Sequence, residues 1–151
     1  MERRKFFNYV GGLLALSAIP TGLSAKDYRE LKPKAWTAHT TDDAIKALYG
    51  NKKMKESKKI KLKLPKVAAN GGAVPVKFST KLNAKTVALF QDANPEAAVA
   101  VYTVSKYDMK DYEVRIKMGK SGTVTVVVEG TNGKLYYAKQ YLEVAAGGCE
   151  G

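Results

Sequence analysis

GTVTVVVEGTNGKLYYAKQYLEV, residues 122–144, is the stretch that most clearly indicates how the 151-residue chain folds. Valines alternate over residues 124–128 at the two-residue period of a β-strand, whose successive side chains point to opposite faces. Thr131-Asn132-Gly133 follows, and Asn-Gly favours the positive φ angles that a two-residue hairpin turn needs. The last strand then runs from Leu135 to about Val144. The stretch therefore predicts a β-hairpin.

Upstream of this hairpin, five further segments have the apolar character of short strands. In the first of them Ile60, Leu62 and Leu64 alternate with lysines, which commonly protect an edge strand against mispairing. The others span residues 74–78, 87–90, 97–104 and 114–118, with turn residues between them. Seven short strands within residues 58–144 predict an all-β fold, an immunoglobulin-like antiparallel β-sandwich. An open barrel is the alternative architecture.

Three local features refine this prediction. Residues 40–50 are typical of one short N-terminal helix, with a threonine cap at its start and a glycine at its end. The lead-in 26–39 and the lysine-rich segment 51–59 have no clear period and are predicted to be irregular. Pro75 lacks a backbone N–H and therefore indicates a sheet edge or a bulge.

The N-terminus has the features of an export signal. Residues 1–25 hold a charged start with Arg3 and Arg4, a short apolar core and small residues before Lys26. The paired arginines resemble the twin-arginine signal, with an ordinary secretory signal as the alternative. Cleavage after Ala25 would remove three basic residues and one acidic residue and lower the formal charge from +12 to +10. We therefore expect a periplasmic protein with no membrane association in its mature form and no nucleic-acid partner.

These patterns divide the chain into four parts: a cleaved signal at 1–25, a lead-in with the short helix at 26–57, the β-sandwich at 58–144 and a flexible C-terminal arm at 145–151. His39 is the only histidine and Cys149 is the only cysteine. A lone histidine makes no histidine-based metal cluster, and we expect it in a surface loop. The sequence offers no catalytic constellation, so we expect no metal, no cofactor and no enzymatic activity of the chain's own.

The arm, AAGGCEG, is the least typical part of the chain. No side chain before Cys149 is larger than a methyl group, so the segment gains little from packing and is predicted to be flexible. Five extended steps from Val144 would carry the thiol up to roughly 17 Å from the sandwich. Three interpretations stay open here: an inert end, a cysteine that links two chains through a disulfide, and a carrier arm whose thiol enters another protein.

The charges near the thiol bear on how it would react. Glu150 and the terminal carboxylate lie within two residues of Cys149 and disfavour its ionisation. The thiolate is the nucleophilic form of cysteine, and no cation is adjacent in the sequence. We therefore expect that the sulfur is activated by the pocket that receives the arm.

Several segments together resemble one known family. They are the helix end KALYG (46–50), IKLKLP (60–65), ANGGAVPV (69–76), NP (94–95), RIKM (115–118) and the glycine-flanked terminal cysteine. In this order they resemble SoxY, the sulfur-carrying subunit of the periplasmic SoxYZ complex in bacterial thiosulfate oxidation. Each segment alone is weak, whereas the ordered set with its terminal cysteine is specific.

The resemblance implies a covalent sulfur carrier. Cys149 would hold thiosulfate-derived intermediates, with Gly147, Gly148 and Gly151 as the flexible flank. It also implies a heterodimer with a SoxZ subunit and transient docking of a Sox c-type cytochrome and a sulfate-releasing hydrolase. Glu150 departs from the family's usual Gly-Gly-Cys-Gly-Gly ending and places a carboxylate beside the sulfur adduct.

Other readings of the same residues stay open. The chain is alternatively an exported β-sandwich binding or structural module that dimerises through a terminal disulfide, or a small thiol enzyme. The lysine run from Lys52 to Lys66 is a solvated edge face in the simpler interpretation. In the other interpretation it attracts anionic sulfur species or an acidic partner.

Overall fold

The computed structural model describes residues 26–145, which build two packed β-sheets and three short helices. The helices are α1 (Tyr28–Leu31), α2 (Pro33–Trp36) and α3 (Thr41–Tyr49). The strands are β1 (Met54–Glu56), β2 (Ile60–Lys63), β3 (Val67–Ala68), β4 (Val74–Thr80), β5 (Ala84–Gln91), β6 (Ala98–Thr103), β7 (Asp111–Ile116), β8 (Gly122–Gly130) and β9 (Leu135–Val144), with a 3₁₀ helix at Gly71–Ala73. Among these residues no helix is long and apolar enough to cross a membrane.

The larger sheet carries the C-terminal hairpin near its centre. Its order is β1-β9-β8-β5-β6, and β3 joins β9 beyond the end of β1. β8 pairs antiparallel with β9 and β5, whereas β1 and β3 run parallel to β9. β5 and β8 are buried on both faces, which explains why their sequences contain continuous apolar runs as well as alternation.

The smaller sheet is antiparallel and has the order β2-β4-β7. β2 is an edge strand whose Lys61 and Lys63 are exposed, as the alternation predicts. Pro75 lies in the central strand, but β2 pairs only with residues 77–80 of that strand. Pro75 therefore has a strand neighbour on one side only, at Arg115, and such a one-sided position tolerates proline.

Two apolar cores hold three layers together. Between the sheets, Phe78 and Leu142 are almost fully buried among valines of both sheets. On the other face of the larger sheet, Ile45 and Leu48 of α3 pack in one cluster with Phe90 of β5. The helices thus cover the larger sheet, which is why that sheet is apolar on both faces.

The predicted fold class, an all-β immunoglobulin-like sandwich with a short N-terminal helix, is confirmed. All seven predicted strands occur, and α3 has a threonine cap at Thr40 and ends at Gly50, whose φ is +78°. Two predictions of irregular structure are wrong, because the lead-in contains α1 and α2 and segment 51–59 contains β1. These elements leave no period in the sequence because they depend on tertiary contacts, such as the pairing of β1 with β9. With the two-residue β3, the described residues contain nine strands rather than seven.

The hairpin between β8 and β9 exists, but its turn differs from the predicted two-residue type. Gly130 N donates to Lys134 O at 2.9 Å, which leaves three residues, 131–133, in the loop. Gly133 has φ +75°, and Gly50 is the only other residue in the described chain with positive φ. A three-residue loop needs one left-handed residue at its end, whereas the two-residue turn would have required Asn132 to be left-handed as well.

Candidate functional site

The C-terminal end of β9 is the candidate site, because the predicted carrier arm follows it in the sequence. Seven predicted site residues lie outside the described residues: Arg3, Arg4, Gly147, Gly148, Cys149, Glu150 and Gly151. The structure describes the surface to which the arm is attached. We call residues 142–145 the arm root.

The arm root is held from both sides up to its last residue. On one side Ala145 N donates to Ala68 O of β3 at 3.0 Å. On the other side Val144 N donates to Ser121 Oγ at 2.9 Å. Leu142 is fully buried between the sheets. Whatever follows Ala145 therefore starts from a fixed point on the sandwich.

A buried glutamine shapes the loop next to this end of the larger sheet. Gln91 is only 1% exposed. Its Oε1 atom accepts from Ala93 N at 2.6 Å and from Asn94 N at 2.7 Å. Its Nε2 atom donates to Glu96 O at 2.7 Å. These three hydrogen bonds fix the turn 92–97 and satisfy an otherwise costly buried amide.

Asn94 ties that turn to the connection between β7 and β8. Its Nδ2 atom donates to Lys117 O at 2.7 Å, and its Oδ1 atom accepts from Gly119 N at 2.9 Å. In the same connection Met118 N donates to Gly71 O at 2.8 Å. The Asn94 side chain therefore joins the turn 92–97 to the β7–β8 connection, and the backbone hydrogen bond from Met118 N joins that connection to the segment around Gly71.

The three segments joined in this way are among those on which the family resemblance depends. They are residues 69–76, 94–95 and 115–118, and they meet at the end of the sandwich that carries the arm root. Asn70 has a local role there, since its Oδ1 atom accepts from Gly72 N at 2.7 Å and shapes the 3₁₀ turn. The structure thus gathers residues that are far apart in the sequence around one exit point.

Basic side chains outnumber acidic ones close to the arm root. Lys66 and Lys120 adjoin the residues that hold it, and Lys117 lies in the same connection as Met118. Glu143 and Asp92 are the nearby acids. This balance favours anions at the exit point. Within residues 26–145, no group of three histidine, cysteine or carboxylate side chains is placed to hold a metal.

His39 lies on the surface, as predicted. Its side chain is exposed, and Nδ1 is 2.8 Å from Pro95 O. Because a carbonyl oxygen only accepts, the proton in this bond belongs to Nδ1. The histidine fastens the segment between α2 and α3 to the turn 92–97, which is a structural role.

A buried polar cluster lies at the opposite end of the larger sheet. Glu129 accepts from Lys52 Nζ at 3.1 Å and from Thr86 Oγ1 at 3.5 Å. The Tyr49 hydroxyl is 2.9 Å from Thr86 Oγ1. Burial raises the pKa of Tyr49 well above its ordinary value, against the lowering effect of its hydrogen bond with Thr86. The cluster fastens the end of α3 to the sheet, and it removes Lys52 from the lysine run that was predicted to be a solvated edge.

Sequence reasoning missed the residues that organise the exit point. Gln91 and Ser121 carry no local signal, because a buried glutamine and a turn serine become visible only when their partners are placed. Asn94 lies in a segment that the resemblance singled out. The sequence therefore indicated the importance of that segment but not its contacts.

A family model and a solved structure both match this chain, and both belong to one family. The family model described as sulfur oxidation protein SoxY matches residues 45–149. Among solved structures, the sulfur carrier protein SoxY from Chlorobium limicola f thiosulfatophilum is 36% identical, with a TM-score of 0.65, and the match covers 74% of this chain and 96% of that one. The search of curated proteins found no match.

Two superoxide reductases are also similar in structure. The neelaredoxin from Ignicoccus hospitalis is 17% identical with a TM-score of 0.51, covering 57% of this chain and 80% of that one. A putative superoxide reductase from Thermotoga maritima is 15% identical with a TM-score of 0.51, covering 62% and 94%. At these identities the likeness shows the fold alone.

Proposed function

Because the chain belongs to the SoxY family of sulfur oxidation proteins, whose relative in Chlorobium is a sulfur carrier, we propose that it carries thiosulfate-derived sulfur covalently on Cys149. In this proposal Cys149 is part of a C-terminal arm that presents the sulfur to one partner protein after another. The arm in this proposal comprises Gly147, Gly148, Cys149, Glu150 and Gly151.

One observation carries this assignment. The match to the family model extends over residues 45–149, and this supports placing the carried sulfur on Cys149, at the end of the matched range. The arm root supports the same reading. Ala145 is hydrogen-bonded to β3, so the scaffold holds the chain firmly until a few residues before the thiol. A fixed base and a chain of small residues suit an arm that must enter a narrow pocket.

The chemistry requires two partner activities. Joining the thiol of Cys149 to the outer sulfur of thiosulfate forms an S–S bond, releases the thiol proton and removes two electrons. A c-type cytochrome is the proposed acceptor of those electrons. Water then cleaves the bond to the sulfonate group, which leaves as sulfate with release of a proton, and a persulfide remains on Cys149. A sulfate-releasing hydrolase is the proposed catalyst of this step.

The chain itself has the role of a subunit and not of an enzyme in this proposal. It forms a heterodimer with a SoxZ-type subunit, needs no cofactor and lets partner pockets activate the thiolate. Its location is the periplasm, reached through a twin-arginine signal that includes Arg3 and Arg4. The lysines near the arm root favour an anionic adduct on Cys149. Their positive charge partly offsets the negative charge of Glu150.

Intact-mass spectrometry tests the carrier role. The mature protein is exposed to thiosulfate together with a periplasmic extract of a thiosulfate-oxidising bacterium, and the mass is recorded without reductant. We expect added mass corresponding to thiosulfate or to sulfur, which a reducing agent removes. The variant Cys149→Ser should stay at its unmodified mass under the same conditions.

Two outcomes would contradict the proposal. One is the same modification on Cys149→Ser. The other is an unmodified wild-type protein that instead accumulates as a disulfide-linked dimer, which would favour the exported structural module. Alkylation of Cys149 in the free protein adds a separate check, because a rate far above that of a model thiol peptide would contradict activation by partner pockets.

A further inference from the structure

The two most exposed large apolar side chains in the described chain lie in one loop. Tyr107 is 86% exposed and Met109 is 87% exposed, both in the connection between β6 and β7. At these exposures the tyrosine and the methionine leave most of their apolar surface in contact with water, which contributes nothing to the packing of the fold. Exposed apolar side chains that occur together in one loop commonly mark an interaction surface.

The loop is held in shape by its own polar residues. Ser105 N and Ser105 Oγ donate to the two carboxylate oxygens of Asp108 at 2.6 and 2.8 Å. The backbone bond and then the hydroxyl bond lower the pKa of Asp108 below its ordinary value. At the end of the loop Lys110 Nζ donates to Leu82 O at 3.0 Å. Because the loop is already ordered, binding through it would cost little conformational entropy.

Next to the loop, two further tyrosines open a cleft between the edge strands of the two sheets. Tyr102 of β6 and Tyr112 of β7 have ring centroids 4.7 Å apart. Together with Met109 they line a cleft of about 410 Å³. Burial raises the pKa of both phenols above the ordinary tyrosine value. We call Tyr102, Tyr107, Met109 and Tyr112 the tyrosine surface.

Lysines surround the tyrosine surface. Lys26 lines the cleft, and Lys106 is in the loop itself. Two backbone bonds, from Val104 N to Lys85 O and from Thr80 N to Lys110 O, bring the β4–β5 connection alongside. This rim comprises Lys26 of the cleft, Lys106 and Lys110 of the loop, and Lys81 and Lys85 at the adjoining connection, against the acids Asp27, Asp108 and Asp111. The rim is therefore complementary to an acidic surface.

We propose that the tyrosine surface is the docking site of a partner protein whose own surface offers an apolar pocket ringed by carboxylates. Tyr107 and Met109 are the anchors that enter the pocket, and the lysine rim steers the encounter. This inference rests on the proposed function, in which the chain works as part of a heterodimer. It assigns the SoxZ-type subunit to this surface.

The position of the surface supports a lasting partner rather than a visiting enzyme. The arm root lies at the Gly122 end of β8, whereas the tyrosine surface lies towards the Gly130 end, where Lys85 follows Ala84. At about 3.3 Å per step, the eight steps from Gly122 to Gly130 of β8 separate the two ends by roughly 26 Å. A partner bound there would leave the space around the arm root free for enzymes that act on the thiol.

The test is the affinity of the purified SoxZ-type subunit for the mature chain, measured by calorimetry at two salt concentrations. We expect Tyr107→Ala and Met109→Ala each to raise the dissociation constant about tenfold or more, which is the usual effect of truncating a residue that anchors an interface. Tyr141→Ala is the matched control, since Tyr141 is 58% exposed but lies beside the arm root. It should change the affinity less than about twofold. Lys106→Glu should lower the affinity, with an effect that shrinks at high salt.

Three outcomes would overturn the inference. They are wild-type affinity in both anchor variants, no binding of the SoxZ-type subunit to the wild-type chain, and a self-association of the chain that the anchor variants abolish. Mass spectrometry of the same samples separates this inference from the proposed function. Sulfur on Cys149 with unchanged docking would refute the tyrosine surface alone, whereas absence of sulfur on Cys149 would refute the carrier role.

Discussion

Tyr49 is the residue whose ionisation the fold changes most clearly. Burial favours its neutral phenol and raises its pKa, and the hydroxyl bonds to Thr86. A raised pKa stabilises the folded state fully below the ordinary tyrosine value of about 10, and this stabilisation is lost as the pH rises above that value. We therefore expect the free energy of unfolding to fall above pH 10 more steeply in the wild type than in Tyr49→Phe.

At neutral pH the same variant should be less stable by about 1 kcal/mol, because Thr86 loses its hydrogen bond with the Tyr49 hydroxyl. Urea unfolding monitored at several pH values measures both effects. Tyr141→Phe serves as the control, since the Tyr141 side chain is exposed. Equal pH dependence in Tyr49→Phe and the wild type would contradict the prediction.

At the exit point, single residues explain why the sequence predicted the arm but not its surroundings. The small side chains before Cys149 predict that this segment has little apolar surface to pack. The role of Gln91 could not be predicted in this way, because it makes three hydrogen bonds to a turn that forms only in the folded chain. The predicted arm lies outside the described residues, whereas the role of Gln91 depends on partners that only the folded chain brings together and could not be predicted.

Among the elements, the start of β8 leaves almost no room for a side chain. A Cβ on Gly122 would collide with Asp92 Oδ1, which accepts from Thr123 N, and would lie 3.0 Å from Ala93 Cβ. Gly122→Ala should therefore lower the free energy of unfolding by about 1–3 kcal/mol, the usual cost of overpacking. Thermal unfolding followed by circular dichroism measures the change.

Gly119→Ala is the matched control for that prediction. Its Cβ would meet only Asn94 Oδ1, at 3.5 Å, which is ordinary contact. Replacing glycine by alanine also restricts the unfolded chain, so this variant should be neutral or more stable by up to about 1 kcal/mol. The opposite order of stability for the two variants would show that the turn 92–97 does not constrain β8.

The strands also mark the limit of local pattern. β2 and β9 were predicted because more buried and more exposed side chains alternate over much of each strand. β1 and β3 were not, since three and two residues are too few to define a period. Both pair in parallel with β9, and such pairing between distant segments leaves no turn signal between them. The turn of 131–133 was located correctly, but its length depends on how Gly130 pairs with Lys134.

For the whole molecule, the proposed carrier function predicts that folding and sulfur carriage are separable. Hydrogen bonding of β9 to its neighbours continues to Ala145 and involves Ser121 and Ala68. A chain that ends after Ala145 keeps all of these bonds. We therefore expect its melting temperature to stay within about 2 °C of the full mature chain, since about 1 kcal/mol corresponds to 2–8 °C in domains of this size. The same chain should acquire no sulfur from thiosulfate.

A chain that ends after Leu142 is the informative comparison. It loses the bonds that Glu143, Val144 and Ala145 donate, together with the pairing of β3. Three hydrogen bonds at about 1 kcal/mol each predict a loss of roughly 3 kcal/mol. Denaturant unfolding of the three chains measures this step. If the chain ending after Ala145 were already destabilised by that amount, residues 146–151 would be part of the folded scaffold, and a free carrier arm would no longer be a tenable description of the C-terminus.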